Sequence, residues 1–189
     1  MFRMKRILDF FLALILIIAL TVPMSLIALL IKLTSYGPIF YWSERIGRQN
    51  KIFLMPKFRS MKNDAPVVAT HLLMDPEKNL TSLGNLLRKT SLDEIPQLWS
   101  ILKGDMSFVG PRPALFNQAD LISLRTQAGL YKLLPGLTGW AQVNGRDELS
   151  IQEKVALDIE YMNHQSLWFD IIILWMTILK VLKRDNVVH

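Results

Sequence analysis

The feature that most limits what this chain can fold into is a run of 22 residues, 10–31, without one charged side chain. As an unbroken helix it would reach ~33 Å, enough to cross a hydrocarbon core of about 30 Å. It is longer than the ~7–15 apolar residues of a secretory signal, and no small-x-small cleavage site follows, so a membrane segment is expected. Pro23 interrupts the run. Proline cannot donate to the carbonyl of residue 19 and its ring clashes with it, which predicts a kink at 19–22. The 13 residues before the proline reach ~20 Å and the 8 after it ~12 Å, so neither half crosses alone. Thr21 and Ser25 offer hydroxyls to the freed backbone groups.

Both flanks are basic: Arg3, Lys5 and Arg6 before the run, Lys32, Arg45, Arg48 and Lys51 after it. Lys and Arg collect on the cytoplasmic side, so a helix that turns back suits these flanks better than one that crosses. A Pro-kinked spanning helix is the alternative. A second apolar region, 167–182, has an uncharged stretch of only 9 residues, 171–179, too short to span. Trp168, Phe169 and Trp175 beside Lys180, Lys183 and Arg184 fit an amphipathic helix in the headgroup plane. An ordinary core helix has the same periodicity, and both readings stand.

These two regions explain a mean hydropathy of +0.26 in a chain with 22 basic and 16 acidic residues, a net charge of +6. The charge points to anionic partners: lipid headgroups, phosphates or nucleic acid. Six basic residues and no acidic one lie in 45–62, but no nucleic-acid-reading motif accompanies them, so no nucleic-acid partner is expected. The absence of cysteine excludes disulfides, thiolate metal sites and a cysteine nucleophile. Three scattered histidines make a His-built metal site unpromising. In between, strand signals flank a turn at 47–50 and predict a short hairpin. Residues 64–75 read as a loop, and helical spacing appears at 80–87, 96–102, 114–124 and 151–162.

The densest polar segment is 88–112, with Asp93 and Glu94 adjacent and Arg88 and Arg112 at its ends. Neighbouring carboxylates raise each other's pKa unless a cation compensates, and Mg2+ with substrate phosphate oxygens would serve. Carboxylates, a metal and forked guanidinium groups are the parts of a phosphoryl-transfer site. A structural alternative is a capping box, Ser91-x-x-Glu94, although Pro96 then falls too deep in the helix.

At this segment the chain becomes recognisable. KFRSM (57–61), TSLDEIPQLWSILKGDMSFVGPRP (90–113), PGLTGWAQVNGR (135–146) and LDIEYM (157–162) with SLWFDIIIL (166–174) resemble the bacterial sugar transferases, the small monotopic phosphoglycosyl transferases. The likeness extends from the membrane segment to residue 182. It implies an α+β, mainly helical fold: a single cytosolic catalytic domain (36–189) with a short hairpin. A Pro-kinked re-entrant helix (1–35) and an interfacial helix (167–182) would hold it to the cytoplasmic face of the bacterial inner membrane. The family's helix usually turns at a Ser-Pro pair; here Val22-Pro23 stands in that place, Ser25 or Thr21 would supply the hydroxyl, and Pro23 and Ser25 are the expected anchor residues.

The implied reaction transfers a sugar 1-phosphate from a UDP-sugar to a polyprenyl (undecaprenyl) phosphate, with release of UMP. By the same resemblance Asp93 is the nucleophile, Glu94 holds Mg2+, and Arg88 and Arg112 bind phosphates. Lys57, Arg59 and Arg146 are further substrate-binding candidates. A non-catalytic membrane-surface scaffold that binds anionic lipid is the competing reading from another class.

Overall fold

Residues 2–66, 77–145 and 148–183 are described by the computed structural model, which is mostly helical with two small two-stranded sheets. The apolar run forms α1, Phe2–Thr34, 33 residues and ~50 Å long, and the helix continues through Pro23. The Thr21 hydroxyl donates to the Ile17 carbonyl and the Ser25 hydroxyl to the Thr21 carbonyl, both at 2.8 Å. Those acceptors flank Ala19, so neither hydroxyl replaces the rung that Pro23 removes. One face of α1 lies against the rest of the protein at both ends: Lys5, Asp9, Ala13, Ile27 and Ile31 are buried. Their spacing keeps one stripe turned inward. Leu16, Ile17, Leu20, Met24 and Ala28 are partly buried against the core, while Phe11, Ile15, Ile18, Val22, Leu26 and Leu33 are exposed. By length and hydropathy α1 is able to cross a membrane.

The predicted hairpin is formed by β1 (Phe40–Ile46) and β2 (Ile52–Phe58), antiparallel, with Phe40 opposite Phe58 and Ile46 opposite Ile52. Gln49 and Asn50 take left-handed conformations in its turn. Strand alternation puts Ser43, Met55 and Lys57 on the inner face and leaves Trp42 and Leu54 exposed.

The helix expected at 80–87 begins later, as α2 (Gly84–Lys89). Residues 80–83 are taken up by pairing with the chain after β2: Leu80 bridges Met61 and Thr81 N–H donates to Ser60 O. Gly84 is required there, because a Cβ would lie 1.9 Å from the Ser60 carbonyl oxygen. The helix expected at 96–102 is preceded by a 3-10 turn, Leu92–Gln97, and continues as α3 (Leu98–Lys103), ending at Gly104 with φ +96. The helix expected at 114–124 is α4 (Ala119–Gln127), because Ala114 O accepts from Ile46 N–H and Leu115 bridges Arg45. Tertiary pairing overrides the helical spacing of those residues.

A parallel pair absent from the sequence reading, β3 (Ser107–Val109) and β4 (Gly136–Thr138), is too short to leave a period-2 signal. After α5 (Trp140–Val143), α6 (Ile151–Asn163) starts at a full capping box between Ser150 and Glu153. The C-terminal region forms α7 (Leu167–Lys183), with one face packed on the core and the other exposed. Asp170 and Ile173 point into the protein, while Trp168, Ile171, Trp175 and Ile178 are exposed. The main core joins Ala13 of α1, Ile101 of α3, Met55 of β2, Phe108 of β3, Tyr161 of α6 and Ile173 of α7.

Candidate active site

Asp93 and Glu94 sit on the 3-10 turn between α2 and α3. Ser91 precedes it in a left-handed conformation, φ +56, and its side chain makes no capping bond. The capping box of the sequence reading is therefore not formed. Glu94 turns instead to the inner face of the hairpin and to the loop after β3. Its Oε1 accepts from Lys57 Nζ and from Arg112 Nη2, each at 2.8 Å. Asp93 is 6% exposed and makes no direct ion pair among the described residues, yet Lys57, Arg88 and Arg112 all act on it electrostatically.

Two adjacent carboxylates thus have opposite electrostatics. Burial pushes the Asp93 carboxyl above its ordinary value and the Glu94 charge adds to this, with Lys57, Arg88 and Arg112 opposing. Burial would raise Glu94 as well, but Arg112 and Lys57 overcome it and hold that carboxyl well below the usual range. Burial lowers the Lys57 ammonium against the pull of Glu94 and Asp93. Burial, reinforced by Arg112, brings the neighbouring Arg45 down to about 10. A pair of carboxylates whose environments push them apart marks a division of roles. Glu94 is held ionised and fixed by two cations, while Asp93 lies buried beside them with its carboxyl raised.

The sequence argument for a metal rested on two carboxylates needing a cation between them. Lys57 and Arg112 already meet that need for Glu94. The donor set still suits magnesium, which takes one or two carboxylates and completes its shell with water and phosphate oxygens. No group of three or more His, Asp or Glu side chains able to cage an ion occurs among the described residues.

Of the predicted site residues, Asp93, Glu94, Lys57 and Arg112 come together, and Arg88 stands on the last turn of α2 within electrostatic range of Asp93. Arg59 has a different place. Its guanidinium donates to Ser35 O, Ser35 Oγ, Tyr36 O and Asn63 Oδ1, holding the chain just past the end of α1. Arg146 and most of the predicted loop at 64–75 lie outside the described residues. Pro23 and Ser25 lie within the long helix α1.

Sequence reasoning missed a second polar cluster, at the other end of α1. Lys5 Nζ donates to Asp170 Oδ2 at 2.6 Å, and to Tyr161 OH and Val109 O at 2.8 Å. Asp9 accepts from Phe108 N–H. Arg6 donates to the carbonyls of Ile101 and Leu102 at the C-terminal end of α3, where a cation is favoured. Two of the basic residues read as a membrane flank, Lys5 and Arg6, are thus bound into the protein, while Arg3 is exposed. The signal that could have found them was Asp9, an acid beside a membrane run that needs a partner.

Comparison with known proteins places these features in context. The sequence profile described as bacterial sugar transferase matches residues 1–184. An uncharacterized sugar transferase, EpsL, of Bacillus subtilis is 37% identical over 97% of this chain and 90% of its own length. The UDP-glucose:undecaprenyl-phosphate glucose-1-phosphate transferase of Escherichia coli is 41% identical over 94% of this chain, which spans 40% of that protein. The UDP-N-acetylgalactosamine-undecaprenyl-phosphate N-acetylgalactosaminephosphotransferase of Aeromonas hydrophila is 35% identical over 94% of this chain and 43% of its own length.

Proposed function

The chain belongs to the bacterial sugar transferase family, and from that premise we propose that it moves a sugar 1-phosphate from a UDP-sugar to undecaprenyl phosphate. The observation that carries the mechanism is the contrast between Asp93, buried among cations and without an ion pair among the described residues, and Glu94, fixed by Lys57 and Arg112. An Asp93 carboxylate oxygen attacks the sugar-side phosphorus. The bond from that phosphorus to the bridging oxygen breaks, and the electron pair leaves with UMP. Asp93 then carries the sugar 1-phosphate as an acyl phosphate. An oxygen of undecaprenyl phosphate attacks the same phosphorus, Asp93 departs as a carboxylate, and the product is an undecaprenyl diphosphate sugar.

Arg112, Arg88 and Lys57 offset the negative charge that builds on the phosphate oxygens, in a site preorganised before substrate arrives. Glu94 would hold magnesium, whose charge would neutralise the diphosphate. Incubating the protein in undecaprenyl-phosphate vesicles with a panel of UDP-sugars and Mg2+ is expected to release UMP with one or a few of them. Free phosphate in place of UMP would point to a phosphatase, and neither product to a lipid-binding scaffold.

The acceptor is fixed in a leaflet, so the site must lie at the membrane surface. The exposed apolar faces of α1 and α7 supply lipid-seeking surface. Both ends of α1 are packed on the same body of protein, the first through Lys5, Arg6 and Asp9, the second through Ile27 and Ile31 against Phe58 and Leu87. A crossing helix would leave one end on the far side, so this packing supports re-entry from the cytoplasmic face. Cysteines introduced as Arg3→Cys and Lys51→Cys, both exposed positions, are expected to react equally with an impermeant thiol reagent in oriented vesicles. Opposite accessibility would establish a crossing.

A further inference from the structure

Arg112 lies in a loop, and its aim is only as good as the placing of its main chain. Four successive carbonyls of that loop are each bound by a donor from elsewhere. Pro111 O accepts from Gly136 N–H at 2.9 Å, and Ala114 O from Ile46 N–H at 2.9 Å. Pro113 O accepts from Arg45 Nη1 at 3.1 Å, and Arg112 O from Arg125 Nη1 at 2.7 Å. Arg125 is itself fixed by a carboxylate: its Nε and Nη2 both donate to Asp158 Oδ2, at 3.0 and 2.7 Å.

The pair joins α4 to α6 and is buried, with the Arg125 side chain 13% and the Asp158 side chain 2% exposed. Holding two helices together does not call for such a pair. Burying two charges costs about as much as their attraction returns, and apolar side chains of similar volume would do as well or better. What an apolar pair could not do is donate to the Arg112 carbonyl. The planar fork of arginine reaches Asp158 with one edge and Arg112 O with its remaining arm; lysine, a single point of charge, cannot serve both in fixed geometry.

We propose that Arg125 and Asp158 are positioning residues for Arg112: the carboxylate orients the Arg125 guanidinium, which fixes the Arg112 main chain so that its side chain meets Glu94 and the phosphates. The inference rests on the reading of Arg112 as a phosphate-binding group. Neither residue touches substrate; both act through Arg112.

A double-mutant cycle on UMP release distinguishes this from general stabilisation. Arg125→Lys alone is expected to lower kcat/KM by about 10- to 100-fold, the scale on which loss of an orienting partner is felt. In an Arg112→Ala background the same change should cost less than about 2-fold, because interacting sites are not additive. Asp158→Asn taken through the same cycle reads the carboxylate and serves should the lysine variant fail to fold. Losses that multiply in the double variants, or full activity in Arg125→Lys, would overturn the positioning role. Wild-type protein that releases no UMP from any UDP-sugar would overturn the reaction itself, so the two failures are distinguishable.

Discussion

Asp93→Asn is expected to abolish both UMP release and labelling of the protein by a UDP-sugar radiolabelled in its sugar, while leaving the fold intact. Removing an attacking group in covalent catalysis costs on the order of 10^4-fold or more, because the oriented surroundings have nothing left to orient. Asparagine matches aspartate in shape and cannot form the acyl phosphate. The stability expectation runs the other way. A carboxyl whose folded-state pKa is raised is destabilising when ionised, and that penalty is present at neutral pH and relieved by protonation. Burial raises Asp93, so the neutral isostere should melt at the same temperature as wild type or higher. Lost turnover with retained or increased stability is the mark of a group kept for chemistry. Glu94→Gln should differ: it removes the shared partner of Lys57 and Arg112, slowing turnover while labelling still occurs. Wild-type labelling of the asparagine variant would end the nucleophile assignment.

The second large effect is structural. Asp170→Ala is expected to destabilise the protein by about 3–5 kcal/mol, because it leaves the Lys5 ammonium buried without its counter-ion. The Lys5 and Asp170 side chains are 9% and 10% exposed, and the neutral acceptors Tyr161 and Val109 remain. Replacing both partners, as Lys5→Met with Asp170→Leu, should recover most of the loss, since the cost comes from an unpaired charge. Unfolding in detergent micelles, followed by circular dichroism, measures both variants. A loss below about 1 kcal/mol would mean that Lys5 reaches water once released, as long basic side chains do at surfaces.

How much of this was legible in the sequence depended on how local each signal was. The hairpin was readable because its strands and turn lie within one short segment, and α6 because its capping box and spacing coincide. Asp93 and Glu94 stood out by adjacency. The limits of α2 and α4 were misread because residues 80 and 114–115 pair with chain 19 to 70 positions away. Arg112 and Lys57 were readable as phosphate-binding candidates, but adjacency in sequence did not reveal that Lys57, from 37 positions upstream, and Arg112, from 18 downstream, would both bind Glu94.

The sequence by itself determined that the chain has a long apolar segment, a net positive charge and an adjacent carboxylate pair. Charge, hydropathy and adjacency are properties of the chain and survive any fold. Only the tertiary structure decided what each basic residue does. Lys57 and Arg59 are two positions apart, yet one faces Glu94 and the other closes the end of α1. Lys5 holds Asp170, and Arg125 holds the backbone of Arg112. In the sequence these are equivalent cations. They differ because a cation's role is set by the acceptor brought to it from a distant segment, and that meeting exists only once the chain has packed.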